Sequence, residues 1–342
     1  MNEASVTVVI PNFNRTDLLR KCLASIQTQT ARPQEVMIID DRSNTEHLFA
    51  IEKIIADFRD ELNIGFLIND TNRGANYSRN RGIASVTTDY TAFLDSDDLW
   101  MPEKLEIQMA AIRRAMKLDG RPILSATGRY RVNDVGRIIT CQFGRETYDY
   151  DKICRSNFIG TLSSVIVDTA VARDVGGFDE ALGASQDWDF FIRLADHVQY
   201  VGLSDPLCVY VDHSEERISS NSTKRIVANT QLRRRYAKQK RLLDSVQSDA
   251  NIRIAEDLQI IRKFNRARVY YTFHRYNKLP RLFKAISPKS IILRLLFLIG
   301  APDLKKSRYD GYKEKFAKLK TKTAYRNKFE RDQHIIMEMM EK

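Results

Sequence analysis

Short apolar runs alternate with amphipathic segments along the first hundred residues. The runs are rich in β-branched residues, and the segments between them carry apolar residues at helical spacing. The predicted strands are 6–10, 35–39, 64–68 and 91–94, and the predicted helices are 17–27, 46–60 and 77–85. Continuous apolar strands that alternate with helices are typical of a parallel sheet covered on both faces, so the pattern predicts an α/β fold with a mostly parallel sheet.

Beyond residue 100 the pattern is less regular. It predicts helices at 102–117, 171–174 and 188–195, and strands within 123–140 and at 163–167. The charge balance changes further along the chain: residues 1–220 hold 24 Lys+Arg and 33 Asp+Glu, whereas residues 221–342 hold 31 and 11. We therefore predict two parts, an α/β domain over 1–220 and a basic helical appendage over 221–342.

Polar clusters follow three of the predicted strands, at residues 12–15, at Asp40 and Asp41, and at residues 95–98. In α/β sheets, ligands bind beyond the carboxyl ends of the strands. The last cluster holds three carboxylates within four residues, and a bound cation would offset their mutual repulsion. Mg²⁺ and Mn²⁺ prefer oxygen ligands of this kind, so the segment predicts a metal site, with a solvated turn as the alternative.

Six segments in order resemble glycosyltransferase family 2, a group of inverting, nucleotide-sugar-dependent enzymes with the GT-A fold. Together they cover roughly residues 5–215, and their joint order is more specific than any one of them. They are VTVVIPNFNR at 6–15, EVMIIDDRS at 35–43, NRGANYSRNRG at 72–82, FLDSDD at 93–98, VGGFDE at 175–180 and QDWDF at 186–190.

The resemblance implies a donor site for a nucleoside-diphosphate sugar, with a UDP-sugar favoured. Its Asp-X-Asp motif implies Mn²⁺ or Mg²⁺ on Asp97, with Asp95 and Asp98 and, further along the chain, His213 as candidate ligands. The candidate nucleotide-binding residues are Pro11, Phe13, Asn14, Arg15, Asp40, Asp41, Arg73, Arg79, Asp95 and Ser96. Each has a structural alternative: Asp40 and Asp41 also suit a turn, and arginines also suit an exposed helix face.

The resemblance also implies an acceptor side. An inverting transfer needs a base for the acceptor hydroxyl proton, and the matching position here is Asp187. Gln186 stands where the family commonly has an acidic residue, which leaves the role of that first position open. Asp187 could equally cap a helix, because apolar residues follow it at helical spacing. The candidate acceptor-binding residues are Asp179, Glu180 and Trp188.

The basic region after residue 220 indicates an anionic neighbour but does not identify it. Its cationic stretch from Arg233 and an apolar segment at 290–300 are typical of a helix that lies on an anionic membrane surface, and packing on the catalytic domain is the alternative. We do not expect a nucleic-acid partner, because no recognition motif accompanies the charge.

The expected location is cytoplasmic, or peripheral on the inner face of the cell membrane. Cys22, Cys141, Cys154 and Cys208 are widely spaced and are expected to be free thiols in a reducing compartment. We see no secretory signal and no apolar stretch that could span a bilayer.

These observations predict an inverting glycosyltransferase that acts on a glycan or lipid-linked glycan, in bacterial surface polysaccharide synthesis. A nucleotidyltransferase that acts on a sugar phosphate is an alternative, although residues 12–16 lack the glycine-rich phosphate loop it would need. The other alternative is a non-catalytic scaffold that the basic region recruits to a membrane.

Overall fold

The computed structural model describes residues 3–147, 153–154, 157–212, 227–229, 231–232, 235–236, 316–317, 319 and 323–341. The chain divides into two compact units. The first comprises Met1–Glu216 together with Phe316–Lys342, and the second comprises Arg217–Lys315. In the second unit the described residues are helical, and Ala228, Leu232 and Tyr236 are buried.

The helices and strands of the first unit follow the predicted alternation. The strands are β1 (Glu3–Asn12), β2 (Arg32–Asp40), β3 (Ile64–Ile68), β4 (Tyr90–Phe93), β5 (Asp98–Trp100), β6 (Ile123–Val132), β7 (Ile138–Gln142), β8 (Val165–Asp168) and β9 (Gln199–Val211). The helices are α1 (Asp17–Gln27), α2 (Thr45–Phe58), α3 (Ala75–Ser85), α4 (Lys104–Leu118), α5 (Thr169–Asp174), α6 (Gln186–Leu194) and α7 (Thr323–Glu341). A single 3-10 turn, Leu162–Ser164, precedes β8.

The strands form one mixed sheet in the order β3-β2-β1-β4-β8-β6-β9-β5, with β7 paired to β6. The first four strands are parallel to one another, so their carboxyl ends share one edge. From β4 onward the sheet is mixed, because β8 runs antiparallel to both β4 and β6, and β5 runs antiparallel to β9. The α/β class is confirmed, and parallel pairing joins the strands β1–β4 to one another and also β6 to β9, whereas the pairs made by β5, β7 and β8 are antiparallel.

Two apolar cores support this sheet. One lies between β1, β2 and the helices α1, α2 and α4, and it includes Val8, Ile38 and Trp100. The other lies on β6 and β9, and includes Tyr130 and Ile336 of the C-terminal helix α7. Burial of apolar side chains is the main favourable contribution to folding, so both cores hold the strand ends in place.

The C-terminal helix α7 packs within the first unit. Ile336 is fully buried there, and the Tyr130 hydroxyl donates a hydrogen bond to Asp332 Oδ2 at 2.6 Å. The side chain of Lys21 in α1 also donates to the carbonyl of Met340. The sequence analysis grouped these residues with the basic region 221–342, whereas residues 316–342 lie with the α/β unit.

Two strands were not predicted. Strand β5 has only three residues and begins inside the acidic cluster, so its sequence carries no strand pattern of its own. Strand β9 is only partly buried over its first seven residues, so it lacks a clear apolar alternation. None of the described helices is long and apolar enough to cross a membrane.

Candidate active site

The acidic cluster lies where the sheet changes from parallel to mixed. It follows β4, and its last residue, Asp98, begins β5. One carboxylate oxygen each from Asp95, Asp97 and Asp98 lies within 4.8 Å of the other two. Oxygen ligands at this spacing can share one divalent cation.

Two arginines hold the more exposed carboxylates of the cluster. Arg79 Nη2 donates to Asp95 Oδ1 at 2.6 Å, and Arg79 is almost fully buried in α3. Arg15 Nη1 donates to Asp97 Oδ2 at 2.9 Å from the loop after β1. The structure therefore brings four predicted site residues together at the carboxyl ends of β1 and β4.

Ser163 holds the third carboxylate, and the sequence analysis missed it. Its hydroxyl donates to Asp98 Oδ2 at 2.6 Å and accepts from the Asp95 N–H at 3.1 Å. Its carbonyl accepts from Trp100 Nε1 at 2.6 Å. The only sequence signal was a polar pair, Ser163 and Ser164, at the start of an apolar run.

A buried lysine lies behind the same loop. Lys104 is fully buried, and its Nζ donates to Gln108 Oε1 at 2.7 Å and lies 4.0 Å from the ring centroid of Trp100. Burial lowers the pKa of Lys104 to about 7, because the charged ammonium loses its hydration. Lys104 was predicted to lie in a helix, but the local sequence pattern did not indicate that its side chain is buried.

Asp41 anchors the loop that precedes α3. Its Oδ1 accepts from Asn69 Nδ2 at 2.8 Å and from the Arg73 N–H at 2.9 Å, and its Oδ2 accepts from the Gly74 N–H at 2.6 Å. Gly74 has a φ of 86°, which favours glycine at this position. These bonds account for a structural role of Asp41, and its predicted contact with a nucleotide base stays a prediction.

The carboxylate of Asp40 also accepts hydrogen bonds from other residues of the protein. Its carboxylate accepts from the backbone N–H and the hydroxyl of Ser43 at 2.7 and 2.6 Å, and from Asn12 Nδ2 at 3.3 Å. Because Asp40 is fully buried, it is the less suitable of the two carboxylates for contact with a ligand.

The loop after β1 presents an aromatic ring at the same edge of the sheet. Phe13 is 44% exposed, although it lies among buried strand ends. Asn14 next to it has a φ of 50°, and its side-chain oxygen accepts from the Asn44 N–H at 3.0 Å. Pro11 and Ser96 are buried behind the loop surface. An exposed ring at this edge of the sheet can stack on a flat ligand.

Arg73 and the predicted acceptor segment meet across the site. Arg73 Nη2 lies 3.2 Å from Glu180 Oε2, and its guanidinium lies 3.5 Å from the ring centroid of Tyr77. Glu180 also accepts from Asn80 Nδ2 at 3.1 Å, and Asp179 Oδ1 accepts from the Ala181 N–H at 2.9 Å. These contacts join α3 to the segment before α6, and both charged partners remain partly exposed.

Asp187 lies in the first turn of α6 and is partly buried. Its Oδ2 accepts from Asn157 Nδ2 at 2.7 Å, and its Oδ1 accepts from the Trp188 N–H at 2.8 Å. Burial raises the pKa of Asp187 above the usual aspartate value, and the two hydrogen bonds and the charge of Arg79 act in the opposite direction. A carboxylate with a raised pKa is suited to accept a proton.

The remaining predicted residues do not all face an open surface. Trp188 is only 9% exposed, and its indole N–H donates to the carbonyl of Ile153 at 2.5 Å, so its role toward an acceptor stays a prediction. His213 lies outside the described residues, as do the apolar segment 290–300 and most of the cationic stretch. Asn157 was missed, because nothing in its sequence neighbourhood indicates a contact with a residue 30 positions away.

Part of the chain matches a known protein family, and several named proteins are similar to it. Residues 7–153 match the family described as "Glycosyl transferase family 2". An uncharacterized glycosyltransferase of Haemophilus influenzae is 25% identical over 68% of this chain and 77% of its own length. The amylovoran biosynthesis glycosyltransferase AmsB of Erwinia amylovora is 28% identical over 61% of this chain and 70% of its own.

The name of a third relative states its substrates. It is the Escherichia coli enzyme UDP-Glc:alpha-D-GlcNAc-diphosphoundecaprenol beta-1,3-glucosyltransferase WfgD, 26% identical over 48% of this chain and 61% of its own.

Two solved structures share the fold. S. aureus TarS 1-349 in complex with UDP-GlcNAc has a TM-score of 0.54 at 19% identity, and covers 92% of this chain and 90% of its own. The mannosyltransferase PcManGT of Pyrobaculum calidifontis, in complex with GDP-Man and Mn²⁺, has a TM-score of 0.52 at 14% identity, and covers 86% and 85%. Residues 7–153 therefore match glycosyltransferase family 2, the named relatives are glycosyltransferases, and the two solved structures share the fold of this chain.

Proposed function

We propose that this glycosyltransferase moves a sugar, with inversion, from a nucleoside-diphosphate sugar to a hydroxyl group of a glycan or lipid-linked glycan. We favour a UDP-sugar as donor and surface polysaccharide synthesis in a bacterium as the process. The names of two relatives support this choice, since one belongs to amylovoran biosynthesis and the other uses a UDP-sugar and a diphosphoundecaprenol-linked acceptor.

The observation that carries the proposal is the packing of the helix of the candidate base against the strand that leads into the acidic cluster. The ring of Phe190 in α6 lies 6.1 Å from the ring of Phe93 at the end of β4. The ring of Phe178, just before α6, lies 5.6 Å from the guanidinium of Arg79, which pairs with Asp95 at 2.6 Å. These contacts support our assignment of the candidate base and the acidic cluster to one site. A transfer reaction needs this proximity, because the attacking hydroxyl and the departing diphosphate meet at one carbon.

The acidic cluster fits a divalent cation. Its donor atoms are all carboxylate oxygens within 4.8 Å of one another, which suits Mg²⁺ or Mn²⁺ and not a softer metal. We assign Asp97 as the principal ligand, with Asp95 and Asp98 beside it. When bound, the cation would act as a Lewis acid toward the negative charge of the leaving diphosphate.

Asp187 would act as the general base. It takes the proton of the acceptor hydroxyl while that oxygen forms its bond to the anomeric carbon, and the bond from this carbon to the diphosphate oxygen breaks on the opposite face. Asn157 fixes one carboxylate oxygen and the helix backbone fixes the other, so the carboxylate keeps one orientation. We assign Arg79 to the diphosphate oxygens, because a guanidinium can donate two parallel hydrogen bonds.

We further propose that the enzyme works at the inner face of the cell membrane. The net charge of the region 221–342 supports this, because its 31 Lys+Arg outnumber 11 Asp+Glu. Binding to vesicles with and without anionic lipid, at two salt concentrations, tests this assignment. Equal binding to both kinds of vesicle would refute it.

Calorimetric binding of UDP, GDP and dTDP, each with and without Mn²⁺, tests the donor assignment. We expect one nucleotide to bind in a metal-dependent way to the wild type, and this binding to be lost in Asp97→Ala. Asp57→Ala is the matched control, since Asp57 is an exposed carboxylate that pairs with Arg20 at 2.6 Å. Failure of all three nucleotides to bind with metal would refute the donor and metal assignments together.

A further inference from the structure

A second cationic site lies beside the candidate base. Arg129 projects from β6, and its Nη1 donates to the carbonyl of Ile159 at 3.0 Å. Among residues 3–147, 153–154 and 157–212, no carboxylate lies within ion-pair distance of this guanidinium. Arg129 is partly buried, so an anionic ligand that pairs with its guanidinium would be favoured at this site.

The pocket around Arg129 is cationic. Its walls include Arg129, Arg145, Gln142, Phe158 and Tyr200, and none of its described lining residues is acidic. The guanidinium of Arg145 lies 5.2 Å from the ring centroid of Phe158. Burial raises the pKa of Tyr200, so its hydroxyl stays neutral and adds no negative charge to the pocket.

The pocket is joined to the candidate base by one short loop. The loop carbonyl of Ile159 accepts from Arg129, and the loop N–H of Gly160 donates to Asn157 Oδ1 at 2.9 Å. Asn157 in turn holds Asp187 at 2.7 Å. Gly160 has a φ of 91°, and a Cβ there would collide with the guanidinium of Arg129. The close approach of arginine and loop therefore requires glycine.

Arg129 is linked to the candidate base by a chain of three hydrogen bonds, through the Ile159–Gly160 segment and Asn157. Burial lowers the pKa of Arg129, and the negative charges of Asp98 and Asp187 act in the opposite direction. Arg79 and Arg15 already serve the cluster through their own ion pairs, so Arg129 is available for a different group.

We infer that Arg129 and Arg145 bind a phosphate or diphosphate group of the acceptor. This inference rests on the proposed glycosyl transfer and specifies its acceptor, a phosphorylated sugar that presents its hydroxyl to Asp187. A guanidinium matches phosphate geometry through paired hydrogen bonds, and Gln142 and Tyr200 line the same pocket. The same chemistry would recognise a lipid-linked sugar diphosphate or a free phosphate, and the experiment below separates them.

Two titrations without divalent metal test the inference, one with inorganic pyrophosphate and one with a hexosyl diphosphate that carries a short alkyl ester. Compared with the wild type, we expect Arg129→Gln to bind the hexosyl diphosphate at least about 10-fold more weakly. We expect Arg145→Gln to bind it several-fold more weakly. Arg121→Gln is the matched control, because Arg121 is an exposed arginine that pairs with Asp119 at 2.7 Å. Its affinity for both ligands should equal that of the wild type.

The outcomes separate this inference from the proposed function. If Arg129→Gln loses the hexosyl diphosphate and keeps metal-dependent nucleotide binding, both stand. If the variant keeps full affinity for the hexosyl diphosphate, or loses only inorganic pyrophosphate, the acceptor site is refuted and the donor assignment is untouched. If Arg79→Gln abolishes binding of both ligands and Arg129→Gln abolishes binding of neither, the anions bind on the donor side. The inference is then also refuted. Thermal unfolding of each variant identifies any loss that comes from misfolding.

Discussion

The two halves of the sheet build their parts of the site in different ways. In the first half, β1–β4 are parallel, and their polar residues meet at one edge simply because parallel strands end there. In the second half, β5–β9 form a mixed arrangement, and Asp187 depends on Asn157 from a loop 30 residues earlier. In the parallel half, the order of strands and helices is enough to bring the site residues together. In the mixed half, their positions depend on particular contacts between residues that lie far apart in the sequence.

The largest expected effect is on the candidate base, which the second half alone supplies. Asp187→Asn should lower kcat/KM for sugar transfer by about 10²- to 10⁴-fold, because a general base contributes that much and an amide cannot accept the proton. Metal-dependent nucleotide binding should remain. The measurement is nucleotide release with acceptor, alongside calorimetric binding of the nucleotide.

Asp196→Asn is the matched control for this prediction. Asp196 is exposed and lies two residues beyond the end of α6, so the same change of charge should leave turnover unaffected. Near wild-type turnover in Asp187→Asn would remove the assignment of the base and return the helix-cap interpretation.

The C-terminal helix α7 belongs to the second half, because it packs into the core on β6 and β9. Ile336→Ala should lower the free energy of unfolding by about 2 to 5 kcal/mol, since it leaves a cavity among fully buried side chains on β6 and β9. Urea denaturation measures this change. Met337→Ala at the neighbouring, 43% exposed position should have much less effect. Equal small losses in both variants would mean that α7 contributes little to this core.

Asn157 tests whether the orientation of the base matters as well as its identity. Asn157→Ala should lower kcat/KM by about 10- to 100-fold, because a hydrogen bond to a charged group is worth about 1.5 to 3 kcal/mol. The amide stabilises the ionised carboxylate, so its removal should raise the pKa of Asp187 further. Since the base works deprotonated, activity should then fall off at a higher pH than in the wild type.

The pH profile distinguishes this role from a merely structural one. Asn63→Ala is the control, because Asn63 is exposed and donates to the carbonyl of Gln34. A lower rate in Asn157→Ala with an unmoved acidic limb would show that Asn157 supports the loop and does not tune the base.

The sequence predicted the two halves unequally, for reasons that follow from their contacts. Strands such as β2 and β3 are recognisable because they are short, apolar and followed by helices, and the clusters after β2 and β4 identified Asp41, Asp95 and Asp97. Strand β5 pairs with β9, and β9 pairs mainly with β6, and no local pattern records these pairings. The same holds for Ser163, Asn157 and Arg129, each of which has a partner at least 30 residues away.

The smallest expected effect tests how far the first half depends on the second. Ser163 belongs to the segment before β8, yet its hydroxyl donates to Asp98 and accepts from the Asp95 N–H. Ser163→Ala should weaken metal-dependent nucleotide binding by about 10-fold, because one net hydrogen bond to a carboxylate is lost. Ser85→Ala is the control, since the Ser85 hydroxyl donates only to the Arg81 carbonyl of its own helix. If Ser163→Ala binds nucleotide as the wild type does, the acidic cluster keeps its geometry without the second half, and the donor site is built by the parallel strands alone.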